Sequence, residues 1–177
     1  MSTWKLDPTH SMVEFSVKHM MFSTVRGRFG KVDGTVKLPD ASGYEGLEID
    51  ANIDATSIDT GAGDRDKHLK SADFFDVEKH PHLTFKSRKV EHLGAEKLRV
   101  TGDLHIRGTT KEVTLDVTEE GRGQDPWGNQ RVGFTAQGEI DRRDFGLTWN
   151  AALEKGGVLV GHNVKLQITA QLVQQKE

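Results

Sequence analysis

Apolar and polar residues alternate with a period of two through most of this chain. Val13, Phe15 and Val17 alternate with Met12, Glu14, Ser16 and Lys18. Leu47, Ile49, Ala51 and Ile53 alternate with Glu48, Asp50, Asn52 and Asp54. Leu98 and Val100 open a run that Leu104 and Ile106 close, with Gly102 between them. Val113, Leu115 and Val117, then Val132, Phe134 and Ala136, then Val164, Leu166, Ile168, Ala170 and Leu172 repeat the pattern. Successive side chains of a strand point to opposite faces, so this spacing predicts half-buried strands with one wet face. Turn signals separate the runs: Asp33-Gly34, Gly43, Gly61-Ala62-Gly63, Gly94, Gly108, Asp125-Pro126-Trp127-Gly128 and Gly156-Gly157.

About eight or nine long strands result, with no strand–helix–strand rhythm, so the expected fold is all-β and antiparallel. Closure removes exposed edges, which makes an eight-stranded barrel the expected architecture and a sandwich the alternative. Glycines within runs, at Gly27, Gly30, Gly102 and Gly138, mark places where the sheet must bend. At 177 residues the chain suits a single domain spanning positions 1–177.

Two segments break the strand rhythm. In DRDKHLKSADFFDVEKHP, Asp64 stands where a helix N-cap would, and Asp66 and Lys70 are spaced for an i,i+4 ion pair. Arg65, His68, Leu69 and Ala72 share one face of such a helix, and Phe75 continues it until Pro81 stops the element. Residues 145–157, FGLTWNAALEKGG, read as a turn or short helix before the last strand.

Charge changes the picture by exclusion. Twenty-four Lys and Arg face 27 Asp and Glu, a net charge of −3, which argues against a nucleic-acid or anionic-membrane partner, since either usually needs a basic patch. The absence of cysteine removes disulfides, zinc–thiolate sites and thiol nucleophiles. No apolar run reaches the ~20 residues of a membrane span, and MSTWKLDPTHS has no secretory pattern, so a cytoplasmic protein is expected.

Catalytic and metal chemistry find little support. His68, His80 and His82 lack the spacing of a known metal site, and no HExxH occurs. His10 precedes Ser11, but neighbours on a strand point apart, so His10 is badly placed to activate the hydroxyl. No cofactor is expected, nor catalysis, although an enzyme acting on a lipidic substrate stays open as an alternative. The barrel interior remains. Phe15, Val17, Phe29, Ile53, Phe85, Val100, Phe134 and Leu166 fall on inward faces, and Met20, Met21 and Phe22 follow a strand where a mouth would open. Patterning alone leaves a ligand cavity and a filled structural core both standing.

Several segments together resemble one family. LDPTHSMVEFSVKHMMFSTVRGRF, RDKHLKSADFFDVEKHP, VTGDLHIRGTTKEVTLDV, DPWGNQRVGF, DFGLTWN and GGVLVG follow one another as in the YceI-like proteins, the lipocalin-like polyisoprenoid-binding family. The resemblance spans about Trp4 to Val173. It implies an extended eight-stranded antiparallel barrel with a short helical segment near its mouth, and a pore holding a polyisoprenoid, an isoprenoid quinone or a similar amphiphile. It also implies a homodimer in at least some members. Many relatives are exported to the periplasm, and this sequence departs from them in showing no signal peptide. On this reading Leu69, Ala72 and Phe75 face the pore from the lid, and Trp149 joins the ligand contacts. Arg65 pairs with Asp59 or Asp73 and fixes the lid, or it greets a polar head group, for which a guanidinium fork is suited. His10, His19 and His68 carry the same two readings.

Overall fold

A computed structural model of the chain describes residues 1–40, 43–153 and 157–176. Among these residues run eleven strands: β1 (Ser2–Leu6), β2 (Met12–His19), β3 (Ser23–Phe29), β4 (Val32–Leu38), β5 (Glu48–Asp54), β6 (Ile58–Asp59), β7 (His82–Gly94), β8 (Lys97–Ile106), β9 (Thr109–Gln124), β10 (Gln130–Asp141) and β11 (Val160–Gln174). One helix, α1 (Gly63–Lys70), lies between β6 and β7. Strands β1, β4, β5, β7, β8, β9, β10 and β11 pair in that order, and β11 returns to β1, so eight strands close a barrel. Every strand pairing in it is antiparallel.

The other three strands continue strands of the barrel beyond a break. Along β11, Leu6 of β1 faces Leu172 and Met12 of β2 faces Thr169, so β2 takes up the ladder where β1 leaves it. β3 pairs with β2, and β6 with β3, in the same way. Each break has a local cause. Pro8 has no N–H for the ladder, and the Asp7 carboxylate accepts the Thr9 N–H at 3.0 Å instead. Between β3 and β4 the Lys31 N–H donates to Ser57 Oγ at 3.1 Å. Between β5 and β6 the Asp54 carboxylate caps a single 3-10 turn, Ala55–Ser57, through the Thr56 N–H at 2.9 Å.

Two glycines let the wall curve. The Phe15 ring covers Gly27 on the next strand and leaves no room for a Cβ. A Cβ on Gly102 would lie 2.5 Å from Phe85 Cζ. Rings lying over strand glycines shield bare backbone while the strand bends. Gly30 has open space around its Cα and serves the β3–β4 break rather than a bend.

One end of the barrel is sealed. Trp4, Leu38, Tyr44, Leu47, Val132 and Leu172 are buried there, near the β4–β5 connection and the ends of β10 and β11. At the opposite end stand α1, the β2–β3 turn and the stretch between β10 and β11. The segment 145–157 begins at Phe145, the last residue of a 3-10 turn, Arg142–Phe145, closed by left-handed Gly146, and runs on without helix to residue 153; residues 154–156, with Gly156 of the expected Gly156-Gly157 turn, lie outside the described residues.

Candidate functional site

The barrel encloses a cavity of about 570 Å³. That falls within the ~300–1,000 Å³ typical of small-molecule sites. Alternation supplies its wall: Phe15, Val17, Phe29, Ile53, Phe85, Val100, Phe134 and Leu166 all line it. Phe15, Val17, Val164 and Leu166 point inward yet are only half-buried, because the space they face is empty enough to reach.

The lid contributes from above. Leu69, Phe75 and Trp149 line the cavity. The Phe29 ring lies 5.6 Å from Phe15 and 5.6 Å, edge-on, from Phe75, so an aromatic run crosses from β2 to the chain after α1. His68 sits edge-on to Phe74 at 5.1 Å and to Trp149 at 4.7 Å, which joins the helix to the β10–β11 stretch. Its Nε2 lies 2.9 Å from Asp73 Oδ2, so His68 is a tied post of the lid.

The helix is shorter than the sequence pattern predicts. It starts after Ala62, which makes no side-chain cap, so Asp64 is in the first turn and is not the cap. The Asp66 carboxylate accepts the Thr60 N–H at 2.8 Å and the Thr60 hydroxyl, which leaves the expected pair with Lys70 unmade. The helix ends at Lys70 with Ser71 as C-cap, so Ala72 falls off its face and is exposed, while Phe74 takes the buried position.

Arg65 lines the cavity but pairs with neither expected carboxylate. Its Nε donates to Thr60 Oγ1 and its Nη2 to the Thr60 carbonyl, both at 2.7 Å. Asp59 faces Arg28 at 3.9 Å and Asp73 faces His68. His19 lines the cavity. His10 does not: it lies on the outer surface, its Nδ1 2.8 Å from Asp7 Oδ2. Met20, Met21 and Phe22 are also outside the lining, exposed on the β2–β3 turn, since strand pairing ends at His19–Ser23 and the turn projects past the wall.

Arg142 lines the cavity and has no counterpart among the residues singled out above. It is 4% exposed. Its Nε donates to the Gly161 carbonyl at 2.8 Å, Nη1 to those of Leu147 and Trp149 at 2.6 and 2.9 Å, and Nη2 to that of Val160 at 3.3 Å. No carboxylate lies within ion-pair distance of it among the described residues. Burial pulls its pKa below the ordinary arginine value, but a guanidinium keeps its charge at neutral pH. The signal was available: carrying the β10 alternation of Phe134, Ala136, Gly138 and Ile140 one step further places Arg142 inward.

Charged lining residues are few: Lys18, Arg65 and Arg142 against Asp64. Lys18, Asp64 and Arg65 are exposed, which marks the mouth, while Leu47, Leu98 and Leu172 are buried at the far end. Ser11 also lines the cavity, but its Oγ accepts the Gln171 N–H at 3.1 Å, and His10 points away from it. No group of three or more His, Asp or Glu among the described residues could hold a metal ion. No described helix is long and apolar enough to cross a membrane.

The family model of the YceI-like domain matches residues 4–172. A UPF0312 protein of Staphylococcus epidermidis is 39% identical over 173 residues, covering 97% of both chains. The crystal structure of BcnA from Burkholderia cenocepacia is similar with a TM-score of 0.81 and 26% identity, covering 94% of this chain and 98% of that one. A polyisoprenoid binding domain from Saccharophagus degradans, implicated in plant cell wall breakdown, shares the fold with a TM-score of 0.70 and 16% identity, covering 99% and 100%. In sequence, in strand order and in the closed barrel they build, this chain belongs to the YceI-like family.

Proposed function

We propose that the chain binds and carries a long apolar amphiphile, such as a polyisoprenoid or an isoprenoid quinone, without chemical change. The observation that carries this is the cavity of about 570 Å³ whose wall is apolar side chains from nearly every strand. Burying a hydrocarbon chain there yields about 25 cal/mol per Å² of surface before the costs of association. Selection is then by chain length and apolarity, with polar groups gathered at the mouth. The polyisoprenoid-binding description of a structural relative supports the same ligand class. Homodimer assembly belongs to this proposal and rests on the family alone; sedimentation showing a monomer at every concentration would remove it.

The test is a denaturing organic extract of purified protein, analysed by mass spectrometry. A long-chain lipid near one equivalent is expected. Empty protein from several hosts, together with no uptake of added polyprenol, would contradict the proposal; conversion of the added lipid would make the chain an enzyme.

A further inference from the structure

Met20, Met21 and Phe22 form the tip of the β2–β3 hairpin, with exposures of 39, 60 and 78%. None of them lines the cavity. Their backbone makes them costly choices for a turn. Met20 and Met21 have φ of 54° and 68°, in the left-handed region that Asn and Gly enter far more readily. Asn and Gly at the two left-handed positions of this three-residue loop would join His19 to Ser23 at least as well, so turn formation does not account for three large apolar side chains. The other strongly exposed apolar residues on hairpins, Leu93 and Trp127, stand singly on separate turns, which is ordinary for a protein surface.

The tip is continuous with the cavity mouth. Lys18 and His19, just before it, line the cavity. The Met20 N–H donates to the Leu159 carbonyl at 2.7 Å, and Leu159 lines the cavity too. Among the described residues that line the cavity, the exposed charges are Lys18 and Arg65 beside Asp64, and the exposed Asp73 carboxylate at the same end is held by His68.

We propose that this tip docks the mouth of the barrel on an anionic phospholipid bilayer, with Met20, Met21 and Phe22 entering the head-group region and Lys18 and Arg65 facing lipid phosphates. The proposal rests on the reading of the cavity as a lipid site. A hydrocarbon chain moving between bilayer and cavity avoids water only if the mouth meets the membrane. Apolar side chains seated at the head-group boundary, with cations beside them, are the chemistry of reversible membrane attachment. A bilayer fits better than a protein partner because the apolar tip and the apolar cavity share one rim.

Flotation with vesicles tests this, using phosphatidylcholine alone and phosphatidylcholine with phosphatidylglycerol. The wild type should float with the anionic vesicles, less so at high salt. A variant with Met20→Asn, Met21→Gly and Phe22→Ser should lose about tenfold or more in vesicle affinity and melt no lower than the wild type. Phe22→Ser alone, at the most exposed position, should show part of the loss. Wild type that stays unbound, variants that float equally, or a dimer that the triple variant splits without any vesicle binding would each overturn docking. Uptake of a soluble dansylated fatty acid separates the two claims. Normal uptake without vesicle binding defeats docking alone, whereas flotation without uptake defeats the lipid cavity and leaves the docking surface in place.

Discussion

At the sealed end, Arg131 reaches two carboxylates: its Nε donates to Asp125 at 2.7 Å and its Nη1 to Asp7 at 2.8 Å, with Gln171 Oε1 also at 2.8 Å. At the mouth, Arg142 is more deeply buried than Arg131 and meets only backbone carbonyls, while Arg65 is held by Thr60 alone. Carboxylates cancel the field of the guanidinium they hold, whereas carbonyls orient it and leave its full charge in place. The Arg131 hub ties the β1–β2 break to the β9–β10 turn and to β11, so its work is to close the barrel. The mouth keeps the uncancelled charge of Arg142 beside an apolar cavity, where the head group of the proposed ligand would meet it.

The largest effect should come from the mouth. Arg142→Met removes the donor to the carbonyls of Leu147, Trp149 and Gly161, while the Val160 carbonyl keeps the Asn150 amide at 2.8 Å. Unmet buried acceptors cost ~1–3 kcal/mol each, reduced where water can reach them, so a loss of about 3 kcal/mol in urea unfolding is expected. Arg142→Lys should recover little, because an ammonium cannot copy the fork. A loss below ~1 kcal/mol would show that the stretch before β11 is anchored by other contacts.

The sealed end should respond to acid. Arg131 draws the Asp125 carboxyl down to about 2 from 3.8, and His10, then Arg131 and Thr9, draw Asp7 further below the ordinary range. Both folded values lie below the unfolded ones, so this stabilisation is complete above the unfolded pKa and fades as pH falls through the folded values. Thermal melting should therefore weaken as pH drops from near 4 toward 2, and Arg131→Met should flatten that part of the profile. The same slope in the variant would assign the acid sensitivity elsewhere.

The smallest effect is expected at His10→Ala. The residue is on the outer surface and bonds only Asp7 and Thr9. Stability should change by less than ~1 kcal/mol and affinity for a bound lipid not at all. A marked loss of lipid affinity would mean that the β1–β2 break communicates with the cavity.

Most of the wall was legible because a closed sheet offers each side chain only two faces. Phe15, Phe85, Phe134 and Leu166 follow from counting in twos, and Arg142 would have followed from counting once more. The three broken strands were not legible, since their causes lie in contacts such as Lys31 to Ser57 that no local pattern encodes. Helical periodicity found Leu69, but Phe75 lines the cavity after the helix has ended, and Ala72 turned outward for the same reason. Arg65 eluded pairing rules because Thr60, brought close by the β6–α1 turn, offers it two oxygens before any carboxylate comes within reach.

The central claim is that the barrel interior is ligand space, and Val17→Trp tests it most directly. Val17 lines the cavity near the mouth and is only half-buried. In ligand space the added ring enters the void: the variant should melt close to the wild type, while uptake of a long-chain polyprenol falls by tenfold or more, on the order of 1.4 kcal/mol. Glu14→Trp, on the outer face of the same strand, should change neither property. A Val17→Trp protein destabilised by ~1–3 kcal/mol, from a parent that never takes up a lipid, would mean a filled core and would contradict the account.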